Sequence, residues 1–517
     1  MSDQAFWRWA AEDPERLALV APDGSEVRAG ALLSRCNQVA RALEALCEPG
    51  DVVAMAFTNE PAVYELALAV FQAGIYLVPV NWHLTAPEIA YILKDCGAKA
   101  LFCSPTMAPI CAAACDEAGL AERYCSGELP ASGGFARFAG FGADLPVAPP
   151  ERRGAGGIMN YTSGTTGQPK GVRRTLPPAP PEPVASAYAR FLQVFRITPG
   201  DGVHIVVSPL YHTAVLYFSL NNLHLGNPLV IMDKWTPDAF LERVERHGVT
   251  NSHMVPTQLV RLLNQLGEDP GLRDRYDLSS MKHMIHSAAP CPVPVKHAII
   301  QWWGPVLWEY YAATEGGGTV VSPEEWLKRP GTVGRPWQTA EIAIFDEDGD
   351  RLGADEPGLV YIKMAQGFEY HRDKAKTEQA HRTDGYFTVG DIGYLDEEGY
   401  LFLCDRKADM IISGGVNIYP AEIESVFITH PNVADVAVFG VPDADWGERV
   451  HAVIEPQGVS VEAADGEAIV AWARERLARY KCPRTVDFIA EMPRDPNGKL
   501  SKRKLRDPFW TDTGRAI

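Results

Sequence analysis

From its start to about residue 340 the chain alternates helical hydrophobic periods with short β-branched runs, among them DVVAMAF (51–57), AKALFC (98–103), DGVHIVVS (201–208) and NPLVIM (227–232). Helices interleaved with buried strands pack as parallel sheets covered by helices, with function at the loops that leave the strands. Between about 341 and 404 the texture changes to short strands with turn signals, as in AEIAIFDEDGDRL, GLVYIKM and GYLDEEGYLFLCD, which reads as the hairpins of a small β unit. After DRKADMII the α/β pattern returns, with VADVAVFGV (433–441) and a helix expected over GEAIVAWARERLARY (466–480) that puts Ile469, Ala473, Leu477 and Tyr480 on one face. The expected fold class is α/β. Residues 1–407 form a large domain of stacked α/β sheets with a β-barrel-like unit near 341–404, and residues 408–517 form a small α+β domain.

With 517 residues the chain exceeds one core, and 46% hydrophobic with 22% charged residues is an ordinary globular balance. A formal net charge of −18 argues against a nucleic-acid surface, which needs a basic stripe. An anionic substrate must then be met by local donors. Ten cysteines form no CxxC pair, and the spacing of Cys111 and Cys115 suits one helix face, so reduced thiols in a cytoplasm are expected. The start, MSDQAFWRWAAEDPER, has acids where a signal peptide carries a basic end and then an apolar run. The uncharged stretches Leu66–His83 and Val203–Met232 contain Gln, Asn, His, Gly and Pro, and read as buried helix followed by strand, with no transmembrane segment. PPAPPEP (177–183) reads as an extended, exposed excursion, and KLSKRKLR (499–506), with five basic residues in eight, as a solvated face. His283 and His286 lack a third ligand at metal-binding spacing and read as structural.

One segment asks for a ligand. YTSGTTGQPKGV (161–172) carries three glycines among small hydroxyl residues, so its backbone can curl with several N–H groups facing inward while Ser163, Thr165 and Thr166 add side-chain donors. Such a loop grips a phosphate chain. A Walker loop is excluded, because Lys170 follows Pro169 and precedes Gly171 where GxxxxGK needs a Ser or Thr next.

The segment resembles the signature loop of the adenylate-forming superfamily of acyl- and aryl-CoA synthetases, luciferases and peptide-synthetase adenylation domains. Further motifs similar to that family's follow in order: SPLYHTA (208–214), SAAP (287–290), YAATE (311–315), YFTVGD (386–391), DRKADMIISGGVNIYPAEIE (405–424) and PRDPNGKLSKRKLR (493–506). The resemblance implies a two-step reaction: a carboxylate attacks the α-phosphorus of ATP to give acyl-AMP and pyrophosphate, and CoA then takes the acyl group. It implies an ATP site built from Thr162, Ser163, Gly164, Thr165, Thr166, Gly167 and Lys170 around the β- and γ-phosphates. Ser287, Ala288, Ala289 and Pro290 would line the adenine pocket, with the Tyr311 ring on the base and Asp391 and Arg406 at the ribose. Thr314 would contact the α-phosphate, Glu315 would ligate Mg²⁺, and Lys499 would bridge the carboxylate and α-phosphate. His212 would gate or orient between the carboxylate site and the thiol path. Gly414 and Gly415 would line the pantetheine tunnel of a mobile C-terminal domain hinged at Ala408.

Three positions depart from the family pattern: Ala312 for glycine, Ala408 for Asp or Lys, and Gly358-Leu359 for Gly-Glu. The expected acyl pocket draws on 208–225, 253–262, 285–291 and the residues after Glu315, with Arg261 its one charge and Gly316, Gly317 and Gly318 leaving room beyond the carboxylate. This favours a medium- to long-chain fatty acid, with an alicyclic, aromatic or steroid-side-chain acid as the alternative. A silent nucleotide sensor would lack Glu315, Asp391 or Lys499, and all three are present. Loading of a carrier protein in place of free CoA stays open, as does a homodimer.

Overall fold

The run DVVAMAF becomes the strand Val52–Ala56, every residue of which is buried. A strand covered on both faces needs no polar alternation. It sits inside a six-stranded sheet in the order Ala136–Arg137, Arg123–Cys125, Ala98–Cys103, Val52–Ala56, Tyr76–Pro79, Gly157–Ile158, all parallel. A nine-stranded sheet lies beside it, with Leu307–Ala313, His283–His286, Asn251–Met254, His204–Val206, Leu229–Ile231 and Leu17–Val20 running parallel and antiparallel strands closing both edges. The computed structural model describes residues 5–129, 133–162, 169–313, 316–364, 368–443, 445–494 and 500–511.

Between the two sheets run the helices Ala62–Ala73 and Thr213–His224, whose Leu66, Val70, Leu216 and Leu220 share one core with Val53, Leu77, Val206 and Ile231. A helix apolar on all sides belongs in such a middle layer. Local signals set the ends of the outer helices. Thr85 and Glu88 form a capping box at the start of Ala86–Cys96, and Gly97 ends it at φ +66°, a conformation glycine adopts without a Cβ clash.

The texture change near residue 341 is real: Ala340–Phe345, Gly358–Met364, Asp391–Leu395, Leu401–Arg406 and Tyr386–Phe387 form an antiparallel five-stranded sheet. A second five-stranded sheet gathers Val416–Ile418, Ile411–Ser413, Gly447–Pro456, Val433–Asp443 and Thr485–Phe488 near the C-terminus. All ten cysteines are free, with Cys111 and Cys115 buried on one helix as their spacing required. No described helix is long and apolar enough to cross a membrane.

Three expectations fail. PPAPPEP is no exposed excursion: Pro181 is buried and opens the helix Pro181–Ala189, because proline in a first turn forfeits only an N–H that has no partner there. The helix at 466 stops at Arg474, and Tyr480 lies in a separate 3₁₀ turn at 56% exposure. Ile469, Val470 and Ala473 are buried in the core and Leu477 packs against it partly buried, so of the expected face only Tyr480 turns away. The basic tail is not simply solvated either. Lys502, in the short helix Lys502–Arg506, is 13% exposed and pairs with Glu424 at 2.8 Å.

Candidate active site

The segment expected to grip phosphate lies between two paired strands. Asn160–Thr162 pairs antiparallel with Lys170–Arg173, placing Thr162 opposite Lys170 and Tyr161 opposite Gly171. The tip, with Ser163, Gly164, Thr165, Thr166 and Gly167, lies outside the described residues, as does the Thr162 side chain. Its base is anchored on both sides: the Tyr161 hydroxyl donates to Asp95 Oδ2 at 2.5 Å, and Lys170 forms an ion pair with Asp373. Lys170 is thus neither a solvent-facing charge nor aimed by this contact at the tip. A Cβ on Gly171 would lie 2.3 Å from Met159 Cε, so a larger residue here would have to displace the end of that flexible side chain.

A second cluster assembles residues from three strands. The Tyr311 hydroxyl donates to Asp391 Oδ2 at 2.6 Å, and Arg406 Nε lies 3.4 Å from Asp391 Oδ1. Asp391 and Arg406 face each other across the antiparallel pair Asp391–Leu395 and Leu401–Arg406, which fixes their approach through backbone register. Asp391 is 8% exposed, whereas the Arg406 side chain is half exposed. A carboxylate has about four acceptor sites, so two neighbours leave capacity for a diol. Thr314 and Glu315, next in sequence after the Tyr311 strand, lie outside the described residues, and so does Lys499.

The SAAP segment follows the buried strand His283–His286. Ala288 there is exposed and sits at φ +73°, where an L-residue pays about 1–2 kcal/mol. Strain of this kind collects at ligand sites and is held by its surroundings. Ala289 is half-buried and Pro290 exposed, while Ser287 is buried and its hydroxyl lies 2.9 Å from His253 Nε2, with Tyr310 Oη 3.4 Å from the same nitrogen. Behind the segment Lys296 Nζ meets Glu309 Oε2 at 2.6 Å with Lys296 fully buried, and His286 Nε2 lies 3.5 Å from that oxygen. Burial pushes Glu309 up despite Lys296, and burial with the Lys296 charge holds His286 well below its ordinary value. Stranding either charge of such a pair costs about 3–5 kcal/mol. His283 and His286 belong to the strand His283–His286, in which His286 is fully buried and His283 partly so.

His212 caps the helix Thr213–His224, its ring centroid 4.1 Å from that of Tyr211. Burial, and then the nearby His83, lower its pKa to about 3, so it is neutral at physiological pH and its Nε2 has no partner among the described residues. A neutral imidazole carries no charge to a neighbouring group, and this nitrogen is sealed from solvent in the described structure. Asn59 holds this segment in place. Its Nδ2 donates to the Ser208 and Met232 carbonyls at 3.0 and 2.9 Å, and its Oδ1 accepts from Leu210 N at 2.9 Å. Nothing in the TNEP stretch around Asn59 signals this role, because its partners lie about 150 residues away.

Beside the helix Thr213–His224 a narrow open crevice runs against the helix Pro181–Ala189, the strand Gly157–Ile158 and residues Arg174 to Pro177. Leu176, Val184 and Leu220 give it apolar walls. Arg174, one of its lining residues, has Nη2 3.4 Å from where a Cβ on Gly316 would stand. The glycine triplet itself leaves no room. Cβ atoms on Gly317 and Gly318 would meet Ile362 Cγ2 at 2.1 Å and the Tyr311 carbonyl oxygen at 1.8 Å, and all three glycines have positive φ around the register shift at Ala312/Ala313. They permit tight strand packing, and the space lies on the other side of Arg174. Arg261 also leaves the pocket: it is exposed, and its charge acts on Glu455 of the C-terminal sheet. Ala312, by contrast, has no positive φ, so an alanine in the glycine position carries no left-handed backbone strain.

Gly414 and Gly415 form the two-residue turn between Ile411–Ser413 and Val416–Ile418, at φ +58° and +80°. Both central residues at positive φ make the tight hairpin that glycine allows. A Cβ on Gly414 would lie 2.4 Å from the Trp446 ring, whereas Gly415 opens onto empty space. Ala408 sits in the exposed turn after Arg406, where its carbonyl accepts from Arg506 Nη1 at 3.1 Å.

Comparison with known proteins places these clusters in a pattern. The AMP-binding enzyme family profile matches residues 6–369, and the AMP-binding enzyme C-terminal domain profile matches residues 422–499. The long-chain-fatty-acid–CoA ligase of Mycobacterium tuberculosis is 33% identical over 93% of this chain and 92% of its own. A fatty acid–[acyl-carrier-protein] ligase of Streptomyces coeruleorubidus is 30% identical over 93% of this chain and 91% of its own. Among solved structures, ATP-bound MatB from Rhodopseudomonas palustris matches with a TM-score of 0.85 and 28% identity, covering 100% of both chains.

Proposed function

We propose, from the premise that this chain belongs to the AMP-binding enzyme family of adenylate-forming ligases, that it converts a medium- to long-chain carboxylic acid to its acyl-CoA. ATP-dependent activation of an acid is the family's chemistry, and the chain is an AMP-forming acid ligase. A carboxylate resists attack because its charge repels nucleophiles and oxide is a poor leaving group; as acyl-AMP it carries a good one. Charge builds on phosphate oxygens as pyrophosphate departs, so catalysis here is positioning and electrostatic stabilisation.

In this reading the hairpin tip, with Ser163, Thr165 and Thr166, holds the departing β- and γ-phosphates. Asp391 accepts from the ribose hydroxyls beside Arg406, and the Tyr311 ring carries the adenine. Thr314 and Lys499 attend the α-phosphate. Mg²⁺ takes one or two carboxylates plus phosphate oxygens, so the single Glu315 suits an ion that would arrive with the nucleotide. When bound it neutralises phosphate charge. The C-terminal domain, 408–517, then turns about Ala408 and brings Gly414 and Gly415 to the thiol path. The CoA thiol, with a reference pKa near ~8.5, needs little activation. The reduced thiols suit a cytoplasmic location.

The observation that carries the reading is the Tyr311–Asp391–Arg406 cluster, because a nearly buried carboxylate flanked by an aromatic hydroxyl and a half-exposed guanidinium suits a ribose diol. The apolar walls of the crevice support a chain or bulky ring over a small acid. The acceptor is tested by incubating enzyme, ATP, Mg²⁺ and a C8–C16 acid series with CoA and weighing the products. Acyl-CoA is expected in stoichiometry with AMP. Acyl-AMP accumulating without thioester would instead point to a carrier-protein acceptor, the acceptor named for the Streptomyces relative.

A further inference from the structure

The crevice has an unlike far end. Asn221 and His224, three residues apart and so on one face of the helix Thr213–His224, line it at 5% and 3% exposure. Asn221 makes no side-chain hydrogen bond to a described residue, and its amide atoms are not among the sealed, unpartnered ones, so they open onto the cavity. His224 Nδ1 accepts the Phe6 N–H at 3.3 Å, which leaves the proton on Nε2. That N–H likewise has no partner among the described residues and is not sealed. Burial keeps the ring neutral, with its pKa lowered to about 3. Beyond them the Trp7 ring, 5.2 Å from His224, separates the crevice from an outer groove that Trp7 also lines.

Buried polar groups have partners, and a nine-tenths-buried amide and imidazole N–H aimed into one cavity lack theirs. Resting on the acid-activating reading, we propose that Asn221 and His224 read a hydrogen-bonding oxygen at the far end of the substrate acid, a hydroxyl or a keto group, and that Trp7 sets how far that end can reach. His224 Nε2–H donates to this oxygen, and the Asn221 amide donates to it or accepts from its hydroxyl. A plain hydrocarbon terminus would leave both groups desolvated and unpaired, which is the source of discrimination in sites built to bind a polar group.

The test compares matched acids in acid-dependent ATP–pyrophosphate exchange: straight chains from C8 to C16 and their terminal-hydroxyl and penultimate-keto counterparts. At the best length the oxygenated acid is expected to exceed the plain one in kcat/KM by about tenfold or more. In Asn221→Leu that ratio is expected to fall toward unity or invert. Equal or better use of plain chains by the unmodified enzyme overturns the inference alone, whatever the variant's stability. Exchange with no acid at all overturns the underlying reading as well.

Discussion

Replacing Lys499 with alanine is expected to slow acyl-adenylate formation by about a hundredfold to a thousandfold, the usual cost of removing one preorganised donor from developing negative charge. The same variant should convert supplied acyl-AMP and CoA to thioester within a few fold of the unmodified rate. The asymmetry follows from presenting a point charge on a domain that turns away between steps. The residues on either side of this segment are fixed: Arg494 and Leu500 form an isolated β-bridge, and Arg494 Nη2 donates to Asp435 Oδ1 at 2.6 Å. Single-turnover measurement of each half-reaction checks this. Equal loss in both would contradict the two-orientation account.

Acidification from pH 7 to 5 is expected to destabilise the fold by several kcal/mol. His204, His224 and His253 are almost fully buried, and burial is the main cause that lowers their pKa values to about 4, 3 and 3. Unfolded imidazoles titrate near ~6.5, so below that pH the unfolded chain binds protons that the folded one refuses. Stability is therefore full above pH 6.5 and falls as pH drops toward the folded values. Each group contributes about 2 kcal/mol to the loss at pH 5. Glu60 and Glu65, raised by burial, take up protons first in the folded state and act in the opposite sense as pH nears 5. Urea unfolding at the two pH values reads the balance; an unchanged midpoint would show that the imidazoles are not desolvated as described.

Much of this architecture was legible in local pattern. Alternation of buried runs and helical periods placed the strands of the two large sheets, since a strand covered on both faces must be apolar along its length, as Val52–Ala56 is. The texture change at 341 placed the antiparallel unit, and the glycine-rich segment lies between the paired strands at 160–162 and 170–173. What stayed hidden depends on distant residues. Asn59 bonds to a loop about 150 positions away, and the Lys296–Glu309 pair closes only when a helix packs on its strand. Gly316 to Gly318 read as space because composition cannot tell an empty Cβ position from one filled by Ile362, Met364 or backbone. The crevice was hidden for a related reason. Its wall is the helix opened by Pro181, inside a proline run whose composition alone favours extended chain.

The central claim, that this site joins a carboxylic acid to the α-phosphate of ATP, is tested most directly by exchange of labelled pyrophosphate into ATP in the absence of CoA. The account predicts exchange that requires Mg²⁺ and an added acid, and that ceases when the acid is replaced by its primary alcohol. Exchange independent of any acid, or none with any acid of the C8–C16 series and its oxygenated counterparts, would contradict it.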